Sequence, residues 1–167
     1  MEKIYGRTKT IQEDKVSGFC PGCMHSTVIK LIGEVLEEME LVDRAACVLG
    51  IGCCGLHMDY IAYDNTTAPH GRDPKEHGYP MHMCEILNQL TAPAYLVRTS
   101  CNTPANVNKT KQAIHKAFQN QLDGKGFSMV EIVTSCPTNW GLDPMKSLEY
   151  IEEKMLPEFP LGVVRDR

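Results

Sequence analysis

Between Val28 and Met39 apolar side chains return every three or four residues, at Val28, Leu31, Ile32, Val35, Leu36 and Met39. That spacing lines one face of a helix from about Thr27 to Glu40. The run Ala45-Ala46-Cys47-Val48-Leu49-Gly50-Ile51 is continuous and short, as a buried strand would be, and it ends in the turn-forming Gly52-Cys53-Cys54-Gly55. Residues 66–80 carry three prolines and two glycines without apolar periodicity and read as a loop. Beyond it the pattern predicts a helix over Met81 to Leu90, a strand over Ala94 to Thr99, and a helix over Asn106 to Leu122 that opens on Thr103-Pro104. A strand over Phe127 to Thr134 follows. It runs into the loop Ser135 to Gly141, and Asp143-Pro144 then caps a last helix reaching about Met155.

Alternating helices and strands imply right-handed crossovers, hence an α/β fold with a mostly parallel sheet and helices on both faces. At 167 residues the chain is expected to form one domain, with a core that needs no disulfide staples. Ligands of such sheets sit beyond the C-terminal ends of the strands. By this reading Cys53 and Cys136 both fall at that edge, although they are far apart in sequence.

A formal net charge of −4 and the lack of any Lys/Arg run with interleaved aromatics argue against nucleic acid as a partner. The opening MEKIYGRTKT is polar and has no apolar central region, and no later stretch is long enough for a membrane span. The expected compartment is therefore the cytoplasm. There, eight cysteines are better explained by metal or redox chemistry than by disulfides. Cys47, Cys84 and Cys101 lie alone in apolar stretches and read as small buried hydrophobes.

The pair Cys20 and Cys23, in Phe19-Cys20-Pro21-Gly22-Cys23, stands just before the first helix and admits several readings. A thiol–disulfide exchange site would use the helix N-terminus to depress a thiol pKa, but such a motif follows a buried strand, and Thr8 to Ser17 is polar. A structural zinc site needs four ligands, which Cys20, Cys23, Cys53 and Cys136 could supply. The same four thiolates could hold a [4Fe-4S] cluster, and proline after a ligand, as in Cys136-Pro137, suits such a loop. An incidental pair in a turn is the remaining reading. Spacing alone does not separate iron from zinc.

Five blocks in order carry a resemblance. They are Phe19-Cys20-Pro21-Gly22-Cys23-Met24-His25, Gly50-Ile51-Gly52-Cys53, Ala68-Pro69-His70-Gly71-Arg72, Gly78-Tyr79-Pro80 and Thr134-Ser135-Cys136-Pro137-Thr138-Asn139-Trp140-Gly141. Together, from about Phe19 to Leu161, they resemble the thiamine-diphosphate-binding (beta) subunit of 2-oxoacid:ferredoxin oxidoreductases, nearest to the 2-ketoisovalerate and 2-oxoglutarate members. The resemblance implies a [4Fe-4S] cluster on Cys20, Cys23, Cys53 and Cys136, and thiamine diphosphate with Mg2+ against Gly52, Cys53, Cys54, His70, Gly71 and Arg72. It also implies oxidative decarboxylation of a 2-oxoacid to acyl-coenzyme A, with alpha and ferredoxin-like gamma/delta subunits completing the complex and ferredoxin taking the electrons.

The chain departs from that family at one place. Members carry, between the His-Gly-Arg and Gly-Tyr-Pro blocks, a long segment with Gly-Asp-Gly and a later Asn that hold the Mg2+, as a hard cation requires. Here Arg72 is followed at once by Asp73-Pro74-Lys75-Glu76-His77-Gly78-Tyr79-Pro80. The expectation is a thiamine-diphosphate-binding fold, incomplete in this chain, with a segment missing at about residues 70–73. A true internal deletion would instead leave a non-catalytic iron–sulfur or zinc module.

Overall fold

The computed structural model describes Thr8, Thr10 and residues 19–46 and 81–167. The predicted strand beyond Ala46 and the predicted loop over residues 66–80 lie outside the described residues.

Helix α1 spans His25–Glu38, close to the helix expected from the apolar spacing, and buries Leu31 and Val35. It stops short of Glu40 because Glu40 takes the left-handed conformation, φ 56°. The Leu41 N–H then reaches back to the Leu36 carbonyl at 2.8 Å, and the buried Leu41 seals the end. The predicted helix over Met81 to Leu90 is shorter than expected. Only Met83–Leu87, α2, is helical, and the N–H groups of Gln89 and Leu90 close three-residue turns onto Ile86 and Leu87.

Strand β1, Pro93–Ser100, is buried at all eight positions. Helix α3, Pro104–Leu122, starts where Thr103-Pro104 placed it, and the Thr103 side chain accepts a hydrogen bond from the Asn106 N–H at 3.2 Å. Strand β2, Phe127–Val133, pairs with β1 in parallel, as expected of a strand–helix–strand unit. A four-residue helix α4, Pro137–Trp140, occupies the predicted loop. Helix α5, Pro144–Tyr150, is capped by the Asp143 carboxylate on the Lys146 N–H. It continues as a π-helical stretch, Ile151–Met155, into the short α6, Leu156–Glu158.

One strand was not expected. Gly162–Asp166 forms β3, antiparallel to β1, so the sheet of the described residues is mixed, in the order β2-β1-β3. Among the described residues this corrects the expectation of a mostly parallel sheet, since one of the two pairings is antiparallel. The reason is a tertiary anchor that no periodicity announces. Arg165 donates to the Asn88 side chain at 2.8 Å, to the Asn88 carbonyl, and to the carbonyls of Leu90 at 2.6 Å and Pro93 at 3.2 Å. It thereby pins β3 to the turn that leads into β1.

Helices cover both faces of this sheet. Tyr95 and Val97 pack on Ala113 of α3, whereas Arg98, out of phase with them, faces Glu85 of α2. The main core joins Leu31 and Val35 of α1, Ile114 of α3, Val133, Trp140, Ile151, Met155 and Phe159. Lys111 of α3 bridges Glu34 and Glu38 of α1, each at 2.8 Å, along its margin.

Arg98 is 1% exposed. Its guanidinium meets both oxygens of Glu85 at 2.6 and 2.8 Å, takes Glu131 of β2 at 2.7 Å, and donates to the Pro160 carbonyl at 3.3 Å. The Phe159 ring lies 5.5 Å from its central carbon. An arginine cannot neutralise itself on burial, so its desolvation has to be offset by these partners. Arg98→Met should destabilise the fold by about 3 kcal/mol in chemical denaturation, near the low end for a broken buried pair because Glu85 can rehydrate. The hydrogen bond from Arg98 holds the Glu85 carboxyl below its ordinary range. Its contribution is therefore present above the unfolded value of about 4.3 and is lost as pH falls through the lower folded value. Glu85→Gln should accordingly show a shallower loss of stability below about pH 4.3 than the parent.

Candidate functional site

The segment Cys20-Pro21-Gly22-Cys23 folds into a turn closed by the Cys23 N–H on the Cys20 carbonyl at 3.0 Å. Proline fixes the first central position, and Gly22, at φ 77°, takes the left-handed second one. A side chain at Gly22 would be strained on that ground alone. It would also place a Cβ 2.6 Å from Cβ of Pro144, the first residue of α5. The turn passes into α1 through the buried Met24, and the Ser26 hydroxyl donates to the Cys23 carbonyl at 3.0 Å.

The second cysteine loop is built from the C-terminal end of β2. Ser135 is fully buried, and its hydroxyl donates to the Gly22 carbonyl at 2.8 Å across 113 residues of sequence. Cys136 follows as the N-cap position of α4, with Pro137 in the first turn and the Trp140 N–H on the Cys136 carbonyl at 3.0 Å. Trp140 in turn packs on Tyr150 of α5, ring centroids 4.6 Å apart. The Cys-Pro-Gly-Cys turn is thus held between Ser135 on one side and Pro144 on the other.

The structure therefore brings the loops of Cys20, Cys23 and Cys136 against each other. Cys20 is exposed, and Cys23 and Cys136 are half-buried. Cys23 Sγ lies 3.1 Å from Nδ1 of His25, whose ring stacks on Phe19 with centroids 5.6 Å apart. Burial lowers the His25 pKa. Cys53, the fourth expected ligand, lies outside the described residues, as do Gly52, Cys54, His70, Gly71, Arg72 and Cys47. Among the described residues no three His, Cys, Asp or Glu side chains converge as they would around a single ion.

The other thiols sort differently. Cys84 is fully buried and burial pushes it up to about 12; Cys101, also buried, is raised by the same cause. A thiol held protonated in apolar surroundings is neither a ligand nor a nucleophile. The reading of these two as small hydrophobes agrees with their places in the fold. What the motif pattern missed is the part played by Ser135, Gly22 and Pro144. Gly22 gave a signal, since Pro-Gly between two cysteines asks for a left-handed turn; a serine bonding a carbonyl 113 residues away gave none.

Two known proteins are similar to this chain. One is the ketoisovalerate oxidoreductase subunit VorA of Methanothermobacter marburgensis, 44% identical; the other is the VorA of Methanothermobacter thermautotrophicus, 43% identical. The chain is similar to ketoisovalerate oxidoreductase subunits. Each match takes in 89% of this chain and 48% of the relative, so the chain spans about half the length of the relatives it matches. The alignments extend over 227 positions, whereas 89% of 167 residues is about 149, so about 78 aligned positions face no residue of this chain. No family model and no solved structure matches it.

The clamp on the cysteine turn can be tested without knowing what it binds. Ser135→Ala should cost about 1 kcal/mol of stability, the ordinary worth of a buried hydrogen bond. Gly22→Ala, strained and clashing, should cost about 2 kcal/mol. If both act on one contact, the double variant should lose clearly less than the two losses added; strict additivity in denaturation midpoints would show the loops to be independent.

Proposed function

We propose that the chain is a beta-type, thiamine-diphosphate-binding subunit of a 2-oxoacid:ferredoxin oxidoreductase, carrying a [4Fe-4S] cluster on Cys20, Cys23, Cys53 and Cys136. The observation that carries this reading is the Ser135–Gly22 hydrogen bond, which puts the cysteine turn before α1 against the cysteine loop after β2. The names of the relatives support the same class of complex. The donor chemistry fits: soft thiolates on a turn before α1 and on a loop after β2 suit iron–sulfur ligation.

In this reading thiamine diphosphate, when bound, would supply an electron sink for loss of CO2 from a 2-oxoacid, and the cluster would supply a one-electron acceptor. The protein's own part is positional. The Pro-Gly turn presents Cys20 and Cys23, Pro137 stiffens the loop of Cys136, and Gly52, Cys53, Cys54, His70, Gly71 and Arg72 would hold the thiamine cofactor. The substrate would be a branched-chain 2-oxoacid or 2-oxoglutarate and the acceptor of the acyl group coenzyme A. Alpha and gamma/delta subunits and ferredoxin are the proposed partners, in the cytoplasm. Among the described residues no helix is long and apolar enough to cross a membrane.

A second reading rests on the gap. The Gly-Asp-Gly segment expected for Mg2+ is absent after Arg72, and about 78 aligned positions of the relatives have no counterpart here. Both fit a segment missing near residues 70–73. If the gap is a true deletion, the chain is a non-catalytic iron–sulfur or zinc module, because the diphosphate has lost its cation ligands.

Purified anaerobically, the protein should be brown, with iron and acid-labile sulfide in equal amounts, and should bind thiamine diphosphate in a Mg2+-dependent manner by calorimetry. Cys136→Ala should strip most of the iron; full retention would remove Cys136 from the ligand set. An intact mass near 18.7 kDa, with a peptide that joins Arg72 directly to Asp73, would leave the module and defeat the catalytic reading.

A further inference from the structure

We infer that His25 donates a hydrogen bond from Nδ1 to the sulfur of Cys23 and thereby raises the reduction potential of the cluster that Cys23 helps to hold. The inference rests on the cluster reading above and adds a residue to it. Its basis is the 3.1 Å contact between Cys23 Sγ and His25 Nδ1.

That contact is held from several sides. His25 is the first residue of α1, so the helix sets its backbone. Met24, 5% exposed, fastens the position before it, and Phe19 lies nearly parallel to the imidazole, 18° between the ring planes. The cysteine end is held too, because Gly22 is clamped by Ser135 and Pro144.

The chemistry then fixes the direction of the bond. A ligating cysteine is a thiolate, which accepts hydrogen bonds and has no proton to give. The contact is a hydrogen bond to a thiolate only when Nδ1 carries a proton. Reduction places one more electron on the cluster and more negative charge on its sulfurs. An N–H donor to sulfur therefore stabilises the reduced form more than the oxidised one, and the potential rises. One electron arrives from the external reductant, and no proton leaves His25 in this step.

The sequence of tests separates this inference from the reading beneath it. Iron and sulfide are measured first on the full chain, purified anaerobically with whatever subunits accompany it; their absence would defeat the cluster assignment itself. With the cluster present, dithionite-reduced protein labelled with 15N-histidine should show a nitrogen coupling in pulsed electron paramagnetic resonance, without any substitution being needed. His25→Leu should lower the midpoint potential at unchanged iron content, and His25→Asn, which keeps an N–H near the same place, should restore most of it. A cluster with no histidine coupling, or an intact His25→Leu cluster at the parent potential, would overturn the role of His25.

Discussion

The burial of one guanidinium sets much of this architecture. Arg98 sits on a strand that is buried along its whole length, and an arginine there is tolerable only if every neighbour that meets its charge is in place. Glu131 comes from the paired position of β2, Glu85 from α2, and the Pro160 carbonyl from the link before β3. One side chain thus fixes the parallel register, the covering helix and the chain's return. A slip of β2 by one residue would turn Glu131 to the other face of the sheet and leave the charge uncompensated. Whether such a group adds net stability over an apolar substitute is a separate matter. Its effect on register is direct, because alternative pairings leave a buried ion without its partner.

That register also reaches the cysteines. Glu131 and Cys136 lie on one short stretch, so fixing the first against Arg98 fixes where β2 ends and where the Ser-Cys-Pro loop begins. Ser135 then spends its hydroxyl on the Gly22 carbonyl, and Pro144 closes on the other side of the same glycine. The placement of Cys20 and Cys23 near Cys136 follows from the sheet through a short series of contacts, each with a named donor, acceptor or packing surface. A turn carrying two thiols would be poorly ordered alone; here a buried serine and a helix-opening proline define it.

Much of this was legible in the chain. The spacing from Val28 to Met39 gave α1, Thr103-Pro104 and Asp143-Pro144 marked helix starts that the caps bear out, and the two central strands stood out as apolar runs. These are local signals, written within a few residues of the elements they create. β3 was not legible, because Gly-Val-Val-Arg-Asp carries no alternation and depends on Arg165 bonding to carbonyls some 75 residues away. The early end of α1 was hidden for a related reason, since a left-handed glutamate announces itself less clearly than a glycine. At the site, the identities of Cys20, Cys23 and Cys136 came from motif, whereas the contact that joins their loops came from a serine with no local signature.

The thiols themselves show how burial assigns chemistry. Cys84 and Cys101 lie in the core, where removing a thiolate from water is costly, and their pKa values are raised accordingly. They are confined to the protonated, inert form. Cys20, Cys23 and Cys136 retain access to solvent, stand on turns or at a helix start, and have a polar backbone around them. Burial thus sets Cys84 and Cys101 apart from Cys20, Cys23 and Cys136, which the fold leaves at least partly accessible on a turn and at a helix start.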